Sequence, residues 1–407
     1  MCIMTGLALV CGVHLSMHGS ETHRISGKNG RRVIAAAGLL CLVMGSVHAF
    51  SVFLVPLETA YSASRAKVSL IYSFALITLT VSVLVGPRYF HRLPAGSILL
   101  ASGLIAASGT LITAFAPGFS TAVFGYSVLF GAANGVGYGF GLQIAAKTNA
   151  GREGMAMGIV TACYATGAMI SPVWFQWALS HGGFQTAMMG LTIALISASV
   201  VGSIIVSSTG ARMDSPELQT ARDKIRPGEV ALLWTGFGAA VFSGLMVIGH
   251  AAEIARSEQL AHMIWIAPAL IAAFNLAGSL SGGHLADAMA PGLLLAGLAV
   301  FLSGVLAVLA ISTPGLAVLA GLACVGLCYG AIISIYPAII AKRYGMTSSA
   351  RIYGRVFTAW GTAGLAGPWL AGALFDATGG YTIALAVAAG LSLVSALAVH
   401  VLFRQSS

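Results

Sequence analysis

The sequence predicts an all-α membrane protein with twelve transmembrane helices in two pseudo-symmetric six-helix halves. Three observations predict it. Of 407 residues, 58% are hydrophobic and only 8% charged, with a mean hydropathy of +0.92, outside what a water-soluble domain of this length tolerates. Apolar stretches of the roughly 20 residues needed to cross a bilayer recur twelve times between short polar breaks. The longest polar interval, 208–227, falls after the sixth of them.

In chain order the spans are predicted near 33–57, 66–90, 94–116, 121–146, 154–179, 185–207, 229–251, 262–285, 291–312, 315–341, 354–376 and 381–403. Residues 1–30 are expected to form an N-terminal cytoplasmic extension. The stretch Ile3 to Met17 is apolar but too short to cross a bilayer, and no charged segment of a signal peptide precedes it. An overlong translation start would account for it; a surface-lying helix and a targeting segment are the alternatives. Residues 31–207 form the first half, 208–228 a cytoplasmic linker and 229–407 the second half. The linker carries Arg212, Asp214, Glu217, Arg222, Asp223, Lys224 and Arg226, whereas whole spans elsewhere hold no charge. Six spans before it and six after is the hydropathy symmetry of a transporter built from two repeats about a membrane-normal axis.

The net charge of +9 could point to nucleic acid in a soluble protein. Its distribution argues otherwise. Of 20 Lys and Arg residues, all but Arg65, Lys67 and Arg256 fall in the N-terminal arm, the even loops and the C-terminal end. Short basic loops face the cytoplasm, so both termini are expected there, with the chain multi-pass in a bacterial inner membrane. The expected partners are the lipid bilayer and a small-molecule substrate, with no nucleic acid, and the chain is expected to be a monomer. Six cysteines without a CxxC pair exclude a zinc ribbon or a dense disulfide framework, and no metal or cofactor is expected. No catalytic residue is expected either, because Ser171, Cys163 and the scattered histidines lack nucleophile and base spacing.

The run Gly131 to Gly141 (GAANGVGYGFG) has GxGxxG-like spacing, but it lies inside an apolar span with no strand before it. It reads as a helix face that lets a neighbouring backbone approach. Gly361, Gly364, Gly367 and Gly372 read the same way, with a kink expected at Pro368. Cys324 and Cys328, one turn apart in a span, read as packing residues.

Three stretches carry a family resemblance: GSVHAFSVFLVPLE at 45–58, GVGYGFGLQIAAKTNAGREGMAMGIVTACYATGAMISP at 135–172, and CYGAIISIYPAIIAKRYG from 328 continuing to YGRVFTAWGTAGLAGPWLAGALFDATGGY ending at 381. On these, residues 31–404 resemble the major facilitator superfamily, and within it the oxalate/formate antiporter and monocarboxylate transporter group. The superfamily's GxLxDRxGR loop signature is degraded. Gly283, Leu285 and Asp287 keep part of it after span eight, while Phe90 stands where the acid belongs after span two. In that group an arginine in span eight, four residues after an asparagine, anchors the substrate carboxylate. Here the asparagine is Asn275 and the arginine position is Ser279. A guanidinium would pair bidentately with a carboxylate, whereas a hydroxyl offers one neutral hydrogen bond.

Polar side chains in hydrocarbon are costly and tend to face a bundle interior, which makes those at mid-depth the candidate substrate-binding residues. They are His48, Asn134, Tyr138, Gln143, Asn275, Ser279, Tyr329 and Trp360, with His250 nearer the external end as a pocket, gate or structural residue. Tyr138 and Tyr329 match binding tyrosines of the resembled family. Asn275 and Ser279, one turn apart, can face one cavity. Packing alone is the competing account of Trp360 and Gln143, an interhelical hydrogen bond that of His48. Arg351 and Arg355 are explained by the basic cytoplasmic face.

Alternating access would come from rocking of the halves, with spans one, four, seven and ten supplying most of the cavity lining. Every carboxylate lies at a span end or in a loop, which leaves His48 or His250 as the group for proton coupling; otherwise the carrier exchanges or equilibrates its solute. The expected function is secondary active transport of a small, monocarboxylate-like organic acid. The alternatives are an importer of a neutral or aromatic vitamin-like solute, a flavin for example, and a non-transporting membrane sensor.

Overall fold

A computed structural model of the protein describes residues 27–149, 152–213, 227–257, 264–311 and 315–404. Residues 1–26 of the expected extension and 214–226 of the expected linker lie outside the described residues, as do Glu258 and the Asp287 side chain. Among the described residues the regular structure is helical throughout. A chain in hydrocarbon must satisfy every backbone N–H and C=O internally, and a helix does this within one segment.

Nine helical stretches among the described residues are long and apolar enough to cross a membrane. One of them, Glu153–Thr209, is broken at Gly183, whose φ of 73° and ψ of −171° a side chain would strain, so it supplies expected spans five and six. Helices Ile266–Ala288 and Met346–Thr378 stand at expected spans eight and eleven, the latter running on through Pro368. The outward faces carry Ile193, Ile204, Leu280, Leu293 and Leu397, all well exposed, as lipid contact requires.

Two spans depart from α geometry. Between the helices Gly27–Met44 and Leu54–Tyr61 the chain is wound as a 3₁₀ helix over Gly45–Phe53, and Val123–Phe130 takes the wider π winding. At the π stretch, Ser127 Oγ donates to the Ile71 carbonyl at 2.6 Å, and Thr78 Oγ1 donates to the Ser127 carbonyl at 2.5 Å. Spans two and four therefore satisfy each other's polar groups where the regular ladder is disturbed.

Close approach of backbones does most of the joining. Gly167 lies against the Leu42 carbonyl and Gly330 against the Asn275 carbonyl, each too near for any side chain. The pairings repeat along the chain. Span one packs on five, two on four and three on six; seven packs on eleven, eight on ten and nine on twelve. Adding six to each number turns the first set into the second. Between the sets, Arg65–Val85 packs on Met346–Thr378, and Glu153–Thr209 packs on Ile266–Ala288.

Candidate functional site

At mid-depth the helices enclose a cavity of about 180 Å³. Six of the predicted residues line it: His48, Tyr138, Asn275, Ser279, Tyr329 and Trp360. His48 sits there because the 3₁₀ winding carries it, and its Nδ1 is 2.8 Å from the Tyr72 hydroxyl. Tyr138 OH is 3.5 Å from Thr161 Oγ1, and its ring lies 4.8 Å from that of Tyr164. Across the cavity, Trp360 Nε1 donates to the Tyr329 hydroxyl at 2.8 Å, which leaves that hydroxyl's own proton free to turn toward a ligand.

Asn275 and Ser279 share one face of their helix, as their spacing predicts. Ser279 Oγ stands 3.3 Å from Asn275 Oδ1 and 3.1 Å from the Gly330 carbonyl, so its proton is spent within the protein. Among the described residues no protein group takes the Asn275 Nδ2 donor. Phe357 and Trp360 add a stacked pair, 5.7 Å apart at 6°. Among the described residues that line it there is no Lys, Arg, Asp or Glu.

The other three candidates stand elsewhere. Asn134 is fully buried behind the cavity: its Nδ2 donates to the Met44 carbonyl at 2.7 Å, where the 3₁₀ stretch begins, and its Oδ1 accepts from Tyr164 OH at 3.1 Å. Gln143 is half-buried and does not line the cavity. His250 is fully buried in a separate cluster described below.

The expectation that spans one, four, seven and ten supply most of the lining is corrected. Thr161, Tyr164, Ala165 and Ala168 of span five and six residues between Pro268 and Ser279 of span eight supply the larger share, with Tyr353, Phe357 and Trp360 of span eleven. The reason is close packing: the small residues of spans one and four, such as Gly137 against Met44, are used up on their neighbours. Sequence reasoning missed Thr161, Tyr164, Tyr353 and Phe357. The aromatic recurrence Tyr353, Phe357, Trp360 at helical spacing was the available signal.

A second polar centre stands at the helix ends beyond the cavity. Arg65, 7% exposed, grips the Glu58 carboxylate with two bonds of 2.6 and 3.0 Å and reaches Glu253 at 3.5 Å. Its Nη1 donates to Tyr381 OH at 2.8 Å, and its guanidinium lies 4.0 Å over the Phe375 ring. The Asp376 carboxylate accepts the backbone N–H groups of Arg65 and Ala66 at 3.0 and 2.8 Å, which caps that helix from span eleven. His250 Nε2 is 2.8 Å from the Pro368 carbonyl and donates to it, and its Nδ1 is 3.0 Å from the Tyr381 hydroxyl. Tyr381 lies in the turn before the last helix, where burial holds its phenol above the ordinary range and keeps it protonated.

No family model matches the chain. Over 78% of its length it is 26% identical to the uncharacterized MFS-type transporter YhjX of Escherichia coli (strain K12), covering 81% of that protein. It is 22% identical to the oxalate:formate antiporter of Oxalobacter formigenes, over 95% of this chain and 96% of the relative. To monocarboxylate transporter 13 of Rattus norvegicus it is 24% identical, over 89% and 86%. Among solved structures, a bacterial homolog to the human lysosomal transporter Spinster, in an inward-facing and occupied conformation, superposes with a TM-score of 0.71 at 16% identity, over 95% of this chain and 98% of that one. The chain is a multi-pass helical membrane protein that shares the fold of that transporter, and the relatives it resembles are themselves named as transporters.

Proposed function

We propose that the protein is a secondary carrier that moves a small, monocarboxylate-like organic acid across a bacterial inner membrane. It works by alternating access between halves 31–207 and 229–407, as a monomer with both termini in the cytoplasm. One observation carries the proposal. His48, Tyr138, Asn275 and Tyr329, brought from four different spans, line one cavity with neutral hydrogen-bonding groups turned inward. Each such bond is worth about 1 kcal/mol net, so several together can substitute for part of a missing cation. The names of two relatives, the oxalate:formate antiporter and monocarboxylate transporter 13, agree with a carboxylate-bearing solute.

The absence of any charged side chain among the described lining residues favours a second proposal, a neutral or aromatic solute held between rings. An ionised carboxylate without a counter-charge bears a desolvation cost that an uncharged solute escapes. Uptake into proteoliposomes discriminates the two. Competition by acetate, lactate or oxalate at millimolar level supports the acid. Flux that none of the three inhibits, or no flux of any organic acid, rejects it.

A further inference from the structure

We infer that the cluster around Arg65 is the closed gate of the cavity at one end, a latch that must part for a solute to enter or leave there. This rests on the carrier proposal and concerns how the same cavity changes sides.

The cluster lies beyond the cavity along the same helices. Ile248 lines the cavity and Glu253 is about 7 Å further along their helix; Trp360 lines it and Asp376 lies about 24 Å further on; Leu79 lines it and Arg65 lies about 21 Å away. All three progressions run toward the same end. There the bonds cross between the two sets of helices: Arg65 to Glu253 and Tyr381, Asp376 to the backbone of Arg65 and Ala66, and Ser69 Oγ to His250 Nε2 at 3.3 Å. The Ala252 N–H also reaches Ser51 Oγ, at 3.5 Å. The charged and titratable groups facing Arg65 are Glu58 from span one, His250, Glu253 and Arg256 from span seven, Asp376 from span eleven and Tyr381 from the turn after it.

The chemistry suits a contact that is made and broken. A buried ion pair gains little over apolar packing while closed, because desolvation offsets its attraction, yet each partner is well hydrated once water enters. A greasy seal of equal area would give up far more on opening. One guanidinium serving two carboxylates and a tyrosine concentrates much of the contact on a single side chain, with Asp376 and the Ser69–His250 pair beside it.

The test is a reporter cysteine in the cavity, Ala272→Cys in the full chain. It is labelled with a membrane-impermeant maleimide from each side of sealed right-side-out and inside-out vesicles, and the peptide carrying residue 272 is quantified by mass spectrometry. From the Arg65 side the reporter should react slowly. Adding Arg65→Gln or Glu253→Gln should raise that rate by about fivefold or more through a population shift, while Lys67→Gln, a charge at the same end outside the cluster, leaves it unchanged. Unchanged rates in both inserted variants overturn the gate. Should either fail to insert, Tyr381→Phe keeps every charge and removes only the hydroxyl shared by Arg65 and His250; a faster rate supports the gate and an unchanged one overturns it. The labelling needs no solute. Side-selective labelling without any flux therefore rejects the carrier proposal alone, and flux with unchanged labelling rejects the gate alone.

Discussion

The cavity and the Arg65 cluster are built on the same helices from opposite materials. The described residues lining the cavity offer rings, hydroxyls, an amide and aliphatic side chains without a formal charge; the cluster, a few helical turns away, packs two guanidinium and three carboxylate groups with a tyrosine and an imidazole. What differs is the demand for reversibility. The neutral cavity keeps donors such as the Tyr329 hydroxyl proton open to a solute, whereas the charges of the cluster are satisfied within the protein, hold it in one arrangement and lose little when water replaces the partner.

Substitutions can break or sharpen that contrast. The largest effect is expected from Arg65→Ala, which leaves Glu58 and Glu253 facing each other: about 3 kcal/mol lost, read as thermal unfolding in detergent. A loss as small as that of a surface variant would show that the cluster is not desolvated. Asn134→Leu removes the amide that bridges Met44 and Tyr164 behind the cavity and should cost about 2 kcal/mol in the same assay, with the Tyr164 hydroxyl deprived of its acceptor. His48→Ala and Tyr138→Phe should invert the pattern, with uptake falling by about tenfold and insertion and melting nearly unchanged; unaltered uptake in both would remove the cavity as the site. Lys67→Gln closes the series, with stability shifted by no more than about 0.5 kcal/mol.

How far the sequence went differs between the same two regions. Span positions were legible because hydrocarbon demands long apolar runs, and the helices fall within a few residues of most of the expected bounds. His48, Tyr138, Asn275, Ser279, Tyr329 and Trp360 could be named because a polar group at mid-depth is costly unless it faces an interior. Depth alone does not say which interior. Asn134 satisfies the same criterion yet is spent on the Met44 carbonyl, and that partner depends on a 3₁₀ winding no local signal announces. The Arg65 cluster was illegible for a different reason. Arg65, Arg256 and Glu253 looked like ordinary charges at span ends, and only the meeting of span two with spans seven and eleven buries Arg65 and Glu253, with Arg256 at their rim. The share of the lining contributed by span five was hidden too, since alanine and threonine carry no polarity pattern to expose a face.

The tightly wound stretch of the first span links the two regions mechanically. A 3₁₀ helix rises about 2.0 Å per residue and turns about 120°, against 1.5 Å and 100° for an α-helix. Rewinding nine residues, Gly45–Phe53, would thus shorten the rod by about 4–5 Å and spin its far segment through roughly half a revolution. Glu58 rides on that far segment and His48 within the coil, so a solute pressing on the imidazole would tug on the carboxylate that Arg65 holds.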